Sequence, residues 1–94
     1  MTVYLLHFSK PYHHAKHYVG FTDNLDRRLN EHKQGKSARL MEVIKQAGIA
    51  FECVRTWNED RKFERYIKTS YHDVPSLCPL CNPEGWQNRL KEKE

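Results

Sequence analysis

The sequence has no long hydrophobic run, no secretory signal and few cysteines, and each absence excludes a class of protein. No apolar stretch approaches the ~20 residues that a membrane-spanning helix needs. The first seven residues, MTVYLLH, are too short and too polar for a secretory signal. Three cysteines are an odd number and too few for a disulfide framework, so reduced thiols are expected. We therefore expect a soluble, cytoplasmic protein with no membrane partner.

The chain is also short and poor in apolar residues. Its 94 residues predict one small domain, and a chain of this length buries only about 60–65% of its unfolded surface. Hydrophobic residues make up 38% of the sequence and aromatic residues 12%, which suffices for a thin core. A functional site is therefore expected in a shallow surface cleft.

The net charge of +4 is concentrated in one segment. Between residues 27 and 45, six basic side chains stand against two acidic ones, and the rest of the chain is balanced. The basic residues of this segment are Arg27, Arg28, Lys33, Lys36, Arg39 and Lys45. Such a segment suits a polyanion such as nucleic acid, although a solvated helix face can have the same composition.

Local patterns predict six elements in the order ββααβα. Strands are predicted over residues 2–8, 16–21 and 50–57. Helices are predicted to be capped by Asn24, Ser37 and Asn58 and to end near Gly35, Gly48 and Tyr71. Residues 9–15 are predicted as a polar loop, and the proline-rich stretch 73–85 as irregular. The expected fold is α+β, with a three-stranded, mainly antiparallel sheet flanked by helices. We predict a domain over residues 1–83 and a short extension, helical or frayed, over residues 84–94.

Several side chains with chemical potential are expected to converge at one edge of the sheet. Alternation along the first strand places Tyr4 on one face, and Tyr18 shares a face with Gly20 on the second strand. A glycine inside a strand marks a place where another group approaches the backbone. Arg28 and His32 are four residues apart and are therefore neighbours on the first helix. Glu64, on the third helix, is the candidate acidic residue.

These residues resemble the GIY-YIG nuclease superfamily over about residues 2–82. The similar segments are TVY at 2–4, YVGFT at 18–22 and DNLDRRLNEH at 23–32, followed by Glu64. The resemblance implies that Tyr4 and Tyr18 are the motif tyrosines, Arg28 the helix arginine and His32 a histidine of many members. It implies that Glu64 is the metal-binding glutamate, and Asn82 matches an asparagine near the domain end. Thr2 replaces the first glycine of the signature, and the interval from Tyr4 to Tyr18 is long.

The same resemblance implies phosphodiester hydrolysis with Mg²⁺ or Mn²⁺ bound at Glu64. Mg²⁺ keeps much of its hydration shell, so one carboxylate completed by water and phosphate oxygens suits it. Arg28 would hold the non-bridging phosphate oxygens through its planar guanidinium. Tyr4 is the expected general base, assisted by Tyr18 or His32. An unperturbed tyrosine has a pKa of ~10, so we expect Arg28 and the cation to supply the positive charge that lowers it.

The predicted function is a metal-dependent DNA endonuclease of weak sequence specificity. The side chains expected to contact nucleic acid are Arg27, Lys33, Lys36, Arg39, Lys45 and Asn82. DNA structure (a branch, flap or nick) or a targeting protein is expected to direct cutting. The alternatives are a catalytically silent nucleic-acid-binding or partner-docking module on the same fold and a nuclease that acts on RNA. The sequence leaves open whether the chain is a monomer or a homodimer.

Cys78 and Cys81 have the Cys-x-x-Cys spacing of half a zinc site. A complete site needs two more ligands, for which Cys53, His72 and His7 are the candidates. We favour reduced thiols that cover a turn over structural Zn²⁺, and we place a redox pair and a zinc-stabilised interaction domain lower still. His13, His14 and His17 could bind a transition metal, but a solvated loop that faces DNA is the favoured interpretation.

Overall fold

One antiparallel sheet of three strands organises the molecule, in the order β2-β1-β3. The computed structural model describes residues 1–90. The strands are β1 (Thr2–Tyr12), β2 (Ala15–Thr22) and β3 (Phe51–Trp57). β1 pairs antiparallel with both neighbours, so the most apolar segment of the chain lies at the centre of the sheet. The predicted sheet is confirmed.

The helices are α1 (Leu25–Lys33), α2 (Arg39–Gln46) and α3 (Arg61–Thr69), so the order ββααβα is also confirmed. α1 begins at Asn24, whose side chain accepts a hydrogen bond from the Arg27 N–H at 3.1 Å. The predicted caps of the other two helices are wrong by a residue or two: Ala38 precedes α2 and Asp60 caps α3. Among residues 1–90, no helix has the length and apolar character to cross a bilayer.

β1 is buried on both sides, which explains its nearly continuous apolar sequence. One core lies between the sheet and α3 and contains Val3, Leu5, Val19, Trp57, Ile67, Leu77 and Cys78. The other core lies between the sheet and the first two helices and contains Tyr4, Leu6, Phe8, Met41, Ile44 and Ile49. We call these two sides of the sheet the α3 face and the α1–α2 face. The predicted alternation, with Tyr4 on one side with Leu6 and Phe8, is confirmed.

The hairpin between β1 and β2 is longer than predicted. Residues 9–15 do not form a loop, because β1 continues to Tyr12 and pairs there with Ala15. The turn consists of His13 and His14, and the backbone of His13 has a φ of 54°. The pairing is irregular between His7 and Tyr12, in the stretch that contains Pro11, and proline cannot donate a ladder hydrogen bond. His13 and His14 form the turn, and His17 lies within β2, inside the strand predicted over residues 16–21.

The C-terminal segment, residues 73–90, contains single 3₁₀ turns at Val74–Leu77 and Trp86–Asn88, and the irregular stretch predicted over residues 73–85 is confirmed. Arg55 on β3 donates hydrogen bonds to the carbonyl oxygens of Leu77 at 3.2 Å and Trp86 at 3.0 Å. The Trp57 Nε1–H donates to the carbonyl oxygen of Leu90 at 2.6 Å. Of the predicted extension, residues 84–90 thus lie against the sheet, and residues 91–94 lie outside the described residues. The domain boundary at residue 83 stays a prediction.

Candidate functional site

The site is built around a close contact between Tyr4 and Gly20, which face each other across β1 and β2. A Cβ atom at Gly20 would lie 2.2 Å from Cζ and 2.3 Å from Oη of Tyr4. No side chain fits in that space, so the glycine lets the phenol ring lie directly on the backbone of β2. The close approach predicted at Gly20 is confirmed, and the approaching group is Tyr4.

Two more rings complete an aromatic cluster on the α1–α2 face. The ring centroids of Tyr4 and Tyr18 are 6.3 Å apart, and the His32 ring of α1 lies 5.6 Å from Tyr4 and 5.2 Å from Tyr18. Tyr4 is fully buried, whereas Tyr18 is half-buried on the edge strand β2. Tyr18 is therefore the phenol that a substrate at the surface can reach.

His32 connects Tyr4 to the loop before α2. Its Nε2 lies 2.5 Å from the Tyr4 hydroxyl, and its Nδ1 is hydrogen-bonded to the Ser37 hydroxyl. Burial, followed by the nearby Arg28 charge, lowers the pKa of His32 to about 4. The ring is therefore neutral at pH 7 and has one donor and one acceptor nitrogen. The His32 ring can donate a hydrogen bond to only one of the two hydroxyls and must accept one from the other. The proton positions of Tyr4 and Ser37 are therefore coupled.

Ser37 is a site residue that the sequence did not reveal. Its predicted role was to cap α2, but that helix begins one residue later and Ala38 occupies the cap position without a side-chain hydrogen bond. The hydroxyl of Ser37 is thus available to His32, five residues earlier in the chain. No local signal distinguishes a serine that caps a helix from one that turns back towards the preceding helix.

The acidity of Tyr4 differs from the expectation. Burial and the neighbouring Tyr18 raise the pKa of Tyr4 to about 12, and the opposing effect of Arg28 is too weak to reverse this. Glu64 adds to the rise, so its carboxylate lies within electrostatic range of Tyr4. In the protein without substrate, Tyr4 is therefore a protonated, inaccessible phenol. This geometry favours Tyr4 as a residue that positions His32, rather than as the group that contacts attacking water.

Arg28 has an unusual environment for an arginine. Its Nε is buried and has no hydrogen-bond acceptor among residues 1–90. Its Nη1 donates to Glu31 at 3.3 Å, and the side chain is 31% exposed. A buried N–H without an acceptor is costly, typically about 1–3 kcal/mol. Because Nε is buried, an incoming anion would be held by the Nη groups of this part-exposed side chain.

Glu64 reaches the site from α3, at the open edge of β2. Its side chain is 13% exposed and pairs with Lys68 one turn later, at 3.3 Å. The Lys68 ammonium in turn lies 5.5 Å from the Tyr18 ring centre. Lys68 was not predicted as a site residue, although its four-residue spacing from Glu64 is a signal that could have identified it.

Glu64 has the chemistry of a magnesium ligand, but it can supply only part of a coordination shell. Carboxylate oxygen is the ligand that Mg²⁺ prefers, and one or two carboxylates with several waters is its usual arrangement in phosphoryl sites. Among the described residues, no group of three or more acidic or histidine ligands includes Glu64. Water and substrate oxygens would complete the shell, which agrees with the arrangement expected from the sequence.

The predicted nucleic-acid-binding residues fall into three groups. Lys33 and Lys36 are exposed, and within residues 1–90 neither has an ion-pair partner. Three others have local partners: Arg27 pairs with Asp23, Arg39 with Glu42, and Lys45 donates to the Gln34 carbonyl oxygen. Asn82 lies in the C-terminal segment, where its amide donates to the Ser76 carbonyl oxygen at 2.9 Å. A role for Asn82 in DNA binding stays a prediction that the geometry does not favour.

A groove with three arginines begins beside the aromatic cluster. It runs between the end of β2 and the first turns of α1 and α3, and it is lined by Met1, Phe21, Thr22, Asp23, Arg27, Arg28, Glu31 and Arg61. The guanidinium of Arg61 lies over the Phe21 ring, 4.9 Å from its centre. Arg61 is a further basic residue that the sequence did not single out. The groove offers cations to a phosphate backbone that approaches Arg28.

Cys78 and Cys81 are free thiols, as expected, and they lie beside two histidines. Ligand atoms of His7 and His17 lie with theirs in one group within 4.8 Å. His7 was among the predicted additional ligands, whereas Cys53 and His72 do not belong to the group. All three cysteines are free thiols.

Taken together, the fold is an α+β domain with paired tyrosines, an arginine and a glutamate gathered at one sheet edge. The family model of the GIY-YIG catalytic domain matches residues 1–75, and the chain therefore belongs to the GIY-YIG family, which is a family of nucleases. This confirms the resemblance predicted from the sequence. A search among curated proteins and a search among solved structures gave no significant match.

Proposed function

We propose that this chain is a metal-dependent endonuclease that hydrolyses phosphodiester bonds in DNA. The observation that supports this most directly is the convergence of Tyr18, Arg28 and Glu64 beside the buried Tyr4–His32 pair. Phosphodiester hydrolysis needs a group that holds the phosphate, a group that orients water and a cation near the leaving oxygen. The three surface-reaching side chains correspond to these three needs.

Arg28 holds the phosphate in this mechanism. The Arg28 side chain is 31% exposed, so its Nη groups, rather than the buried Nε, would donate to phosphate oxygens that approach from solvent. The planar guanidinium allows two parallel hydrogen bonds to the same phosphate. Because charge accumulates on these oxygens as water attacks, the contact becomes stronger in the transition state than in the bound substrate.

Tyr18 orients the attacking water, and the Tyr4–His32–Ser37 chain holds the surrounding groups in place. Tyr18 is half-buried and faces the surface, whereas Tyr4 is fully buried with a pKa of about 12. A phenolate at Tyr4 is therefore strongly disfavoured before substrate binds. We assign to Tyr4 the positioning of His32, through the 2.5 Å hydrogen bond to its Nε2.

Glu64 would hold Mg²⁺ or Mn²⁺, with water and phosphate oxygens as the remaining ligands. When bound, the ion supplies Lewis acidity to the phosphate and stabilises the leaving oxygen. The Lys68 ammonium now occupies one side of the carboxylate at 3.3 Å. Binding of the ion requires Lys68 to move away from Glu64, and a lysine on an exposed helix turn has that freedom.

The basic surface explains how the enzyme would bind the phosphate backbone of DNA. Lys33 and Lys36 lie on the same segment as Arg28, and the arginine groove extends the positive surface towards α3. Contacts of this kind bind the backbone and carry little sequence information. We therefore expect a branch, flap or nick in the DNA, or a targeting protein, to direct cutting.

Purified protein should be incubated with plain, nicked, flapped and branched duplexes and with matching RNA. Each substrate is tested with Mg²⁺, with Mn²⁺ and without added divalent ion. An Arg28→Ala/Glu64→Gln double variant, purified in parallel, controls for contaminating nucleases. We expect metal-dependent cutting of DNA, strongest on a branched or nicked form, that the double variant lacks. Binding without cutting across the whole panel would contradict the proposal and support a silent binding module, and preferential cutting of RNA would reassign the substrate.

A further inference from the structure

We propose that His7, His17, Cys78 and Cys81 form a structural zinc site that joins the C-terminal segment to the β1–β2 hairpin. This site is separate from the proposed Glu64 metal position. It lies on the α3 face of the sheet, whereas the aromatic cluster lies on the α1–α2 face. The argument uses the strand register, the distances between ligand atoms and the chemistry of the ligand set.

The strand register brings the two histidines together. His7 on β1 and His17 on β2 are directly paired across the hairpin, so their side chains leave the sheet on the same face. Their rings are 5.2 Å apart between centroids. His7 lies two residues after Leu5 on β1, and His17 lies two residues before Val19 on β2. Leu5 and Val19 belong to the core on the α3 face, so both histidines face that side of the sheet.

The C-terminal segment brings the two thiols to the same place. Cys78 follows the 3₁₀ turn Val74–Leu77 and is fully buried in the core of the α3 face. The chain then turns tightly, because the Asn82 N–H donates to the Cys78 carbonyl oxygen at 2.8 Å. This turn directs the Cys81 thiol back towards the histidines.

Four of the six distances between the ligand atoms match the edges of a zinc tetrahedron, and all six lie within 4.8 Å. With Zn–N of about 2.05 Å and Zn–S of about 2.3 Å, tetrahedral geometry separates two nitrogens by about 3.3 Å and a nitrogen from a sulfur by about 3.6 Å. His7 Nδ1 lies 3.3 Å from His17 Nε2. His7 Nδ1 also lies 3.4 Å from Cys78 Sγ and 3.7 Å from Cys81 Sγ. The distance from Cys81 Sγ to His17 Nε2 is 3.6 Å.

The ligand set selects the metal. Two thiolates and two neutral imidazoles are typical of structural zinc, and the two thiolate charges balance those of the ion. Soft sulfur ligands disfavour Mg²⁺ and Ca²⁺, which prefer oxygen. Four protein ligands fill a tetrahedron and leave no position for substrate, so the site is structural rather than catalytic.

The zinc would stabilise the hairpin on which the nuclease site is built. His17 is adjacent to Tyr18, and His7 lies three residues after Tyr4. Arg55 and Trp57 hold the segment from β3, the far edge of the sheet, through the carbonyl oxygens of Leu77, Trp86 and Leu90. Zinc would hold it from β2, the other edge. The C-terminal segment would then be attached on both sides of β1.

Metal content of the full-length protein tests the proposal without any measurement of cleavage. Protein expressed in medium with added zinc and purified without chelators should contain one zinc ion per chain. The matched control is Cys53→Ser, which removes the remaining thiol, a group outside the cluster, and should keep the zinc. Cys81→Ser should lower the zinc content at least about tenfold. Equal zinc in Cys81→Ser and wild type would overturn the proposal.

Cobalt substitution covers the case in which Cys81→Ser fails to fold. Wild-type protein reconstituted with Co²⁺ should show the intense visible bands of tetrahedral cobalt and a thiolate charge-transfer band in the near ultraviolet. His17→Cys, which preserves four ligands, should keep the metal and strengthen the charge-transfer band. A wild-type protein that folds without metal, takes up no Co²⁺ and forms a Cys78–Cys81 disulfide would overturn the proposal and indicate a redox pair. Because neither readout involves DNA, failure of the nuclease proposal would leave this test unaffected.

Discussion

The two sides of the β1–β2 hairpin carry different chemistry on alternating residues of the same strands. On the α1–α2 face, Tyr4 and Tyr18 meet His32 and Arg28 at an edge open to solvent. On the α3 face, His7 and His17 meet Cys78 and Cys81 beside a core. Because side chains alternate along a strand, one hairpin carries the proposed nuclease site, which we call the open side, and the proposed zinc ligands, which we call the closed side. On these two proposals, a small domain combines a substrate site with a metal site that stabilises it.

The largest expected effect comes from removing Arg28, the group proposed to hold the phosphate on the open side. Arg28→Ala should lower the cleavage rate about 10³-fold, or about 4 kcal/mol, because a positioned donor to the reacting phosphate is lost. Arg28→Lys should recover little of the cleavage rate that Arg28→Ala loses, since lysine has no planar pair of donors. Single-turnover cleavage at saturating protein measures the effect.

The matched control is the adjacent Arg27→Ala. Arg27 is exposed and pairs with Asp23, so its loss should change cleavage only a few-fold. Equal losses in the Arg27 and Arg28 variants would show that the effect is one of general charge and would contradict a special role for Arg28 at the phosphate.

The next effect concerns the neutral histidine of the open side. The pKa of His32 falls from 6.5 in the unfolded chain to about 4 in the folded chain. Between these pH values the unfolded chain binds more protons, so acidification through this window lowers the free energy of unfolding. The His32 contribution is up to about 3 kcal/mol, fully present above pH 6.5 and lost as the pH approaches 4.

Urea unfolding of wild type and His32→Gln across this pH range isolates that contribution. The other titrating groups are common to both chains, so the difference between the two curves reports His32 alone. We expect the variant to depend less on pH than wild type below pH 6.5. Parallel curves would contradict the assignment of His32 as a buried neutral ring.

A smaller effect is expected from filling the contact between Tyr4 and Gly20. Gly20→Ala places a methyl group 2.2 Å from Cζ of Tyr4 and should cost about 1–3 kcal/mol of stability. In the Tyr4→Leu variant, the ring atoms that clash with the new methyl group are absent. Gly20→Ala should therefore cost much less stability in that variant than in wild type. A double-mutant cycle by urea unfolding measures the coupling. Additive costs would show that the two residues do not share this space.

The smallest expected effect belongs to the exposed lysines. Lys36→Ala should weaken DNA binding about two- to fivefold and lower the salt dependence of log Kd by about one ion. The control is Arg89→Ala, an exposed basic residue on the C-terminal segment. Binding isotherms at several salt concentrations measure the affinity and the salt dependence of each variant. If the two variants have the same slope, the segment from Arg27 to Lys45 is not the DNA-binding surface.

Much of the open side could be predicted from the sequence because its signals are local. Asn24 caps the helix that carries Arg28 and His32, and the alternation of β1 fixes the face of Tyr4. Gly20 marks the close contact because only glycine leaves that space. Ser37 was missed because its partner depends on how the loop before α2 turns.

The closed side depends on long-range placement, which short patterns do not encode. His7 and His17 lie within the predicted strands, but the sequence named them as separate metal-ligand candidates and did not predict that they pair across the hairpin. The arrival of Cys78 and Cys81 depends on the docking of an irregular segment through backbone carbonyls. The Cys-x-x-Cys spacing therefore gave two ligands, and the fold brings them together with the two histidines.

The central claim is that the open side is a nuclease site whose metal position is Glu64. Its most direct test is the rate of cleavage of a branched duplex as the Mg²⁺ concentration rises, for wild type and Glu64→Gln, with binding to the same duplex measured in parallel. We expect wild type to show a saturable rise and Glu64→Gln to stay at the rate without added metal, while both bind the duplex equally well. A variant that responds to Mg²⁺ as wild type does would contradict the account.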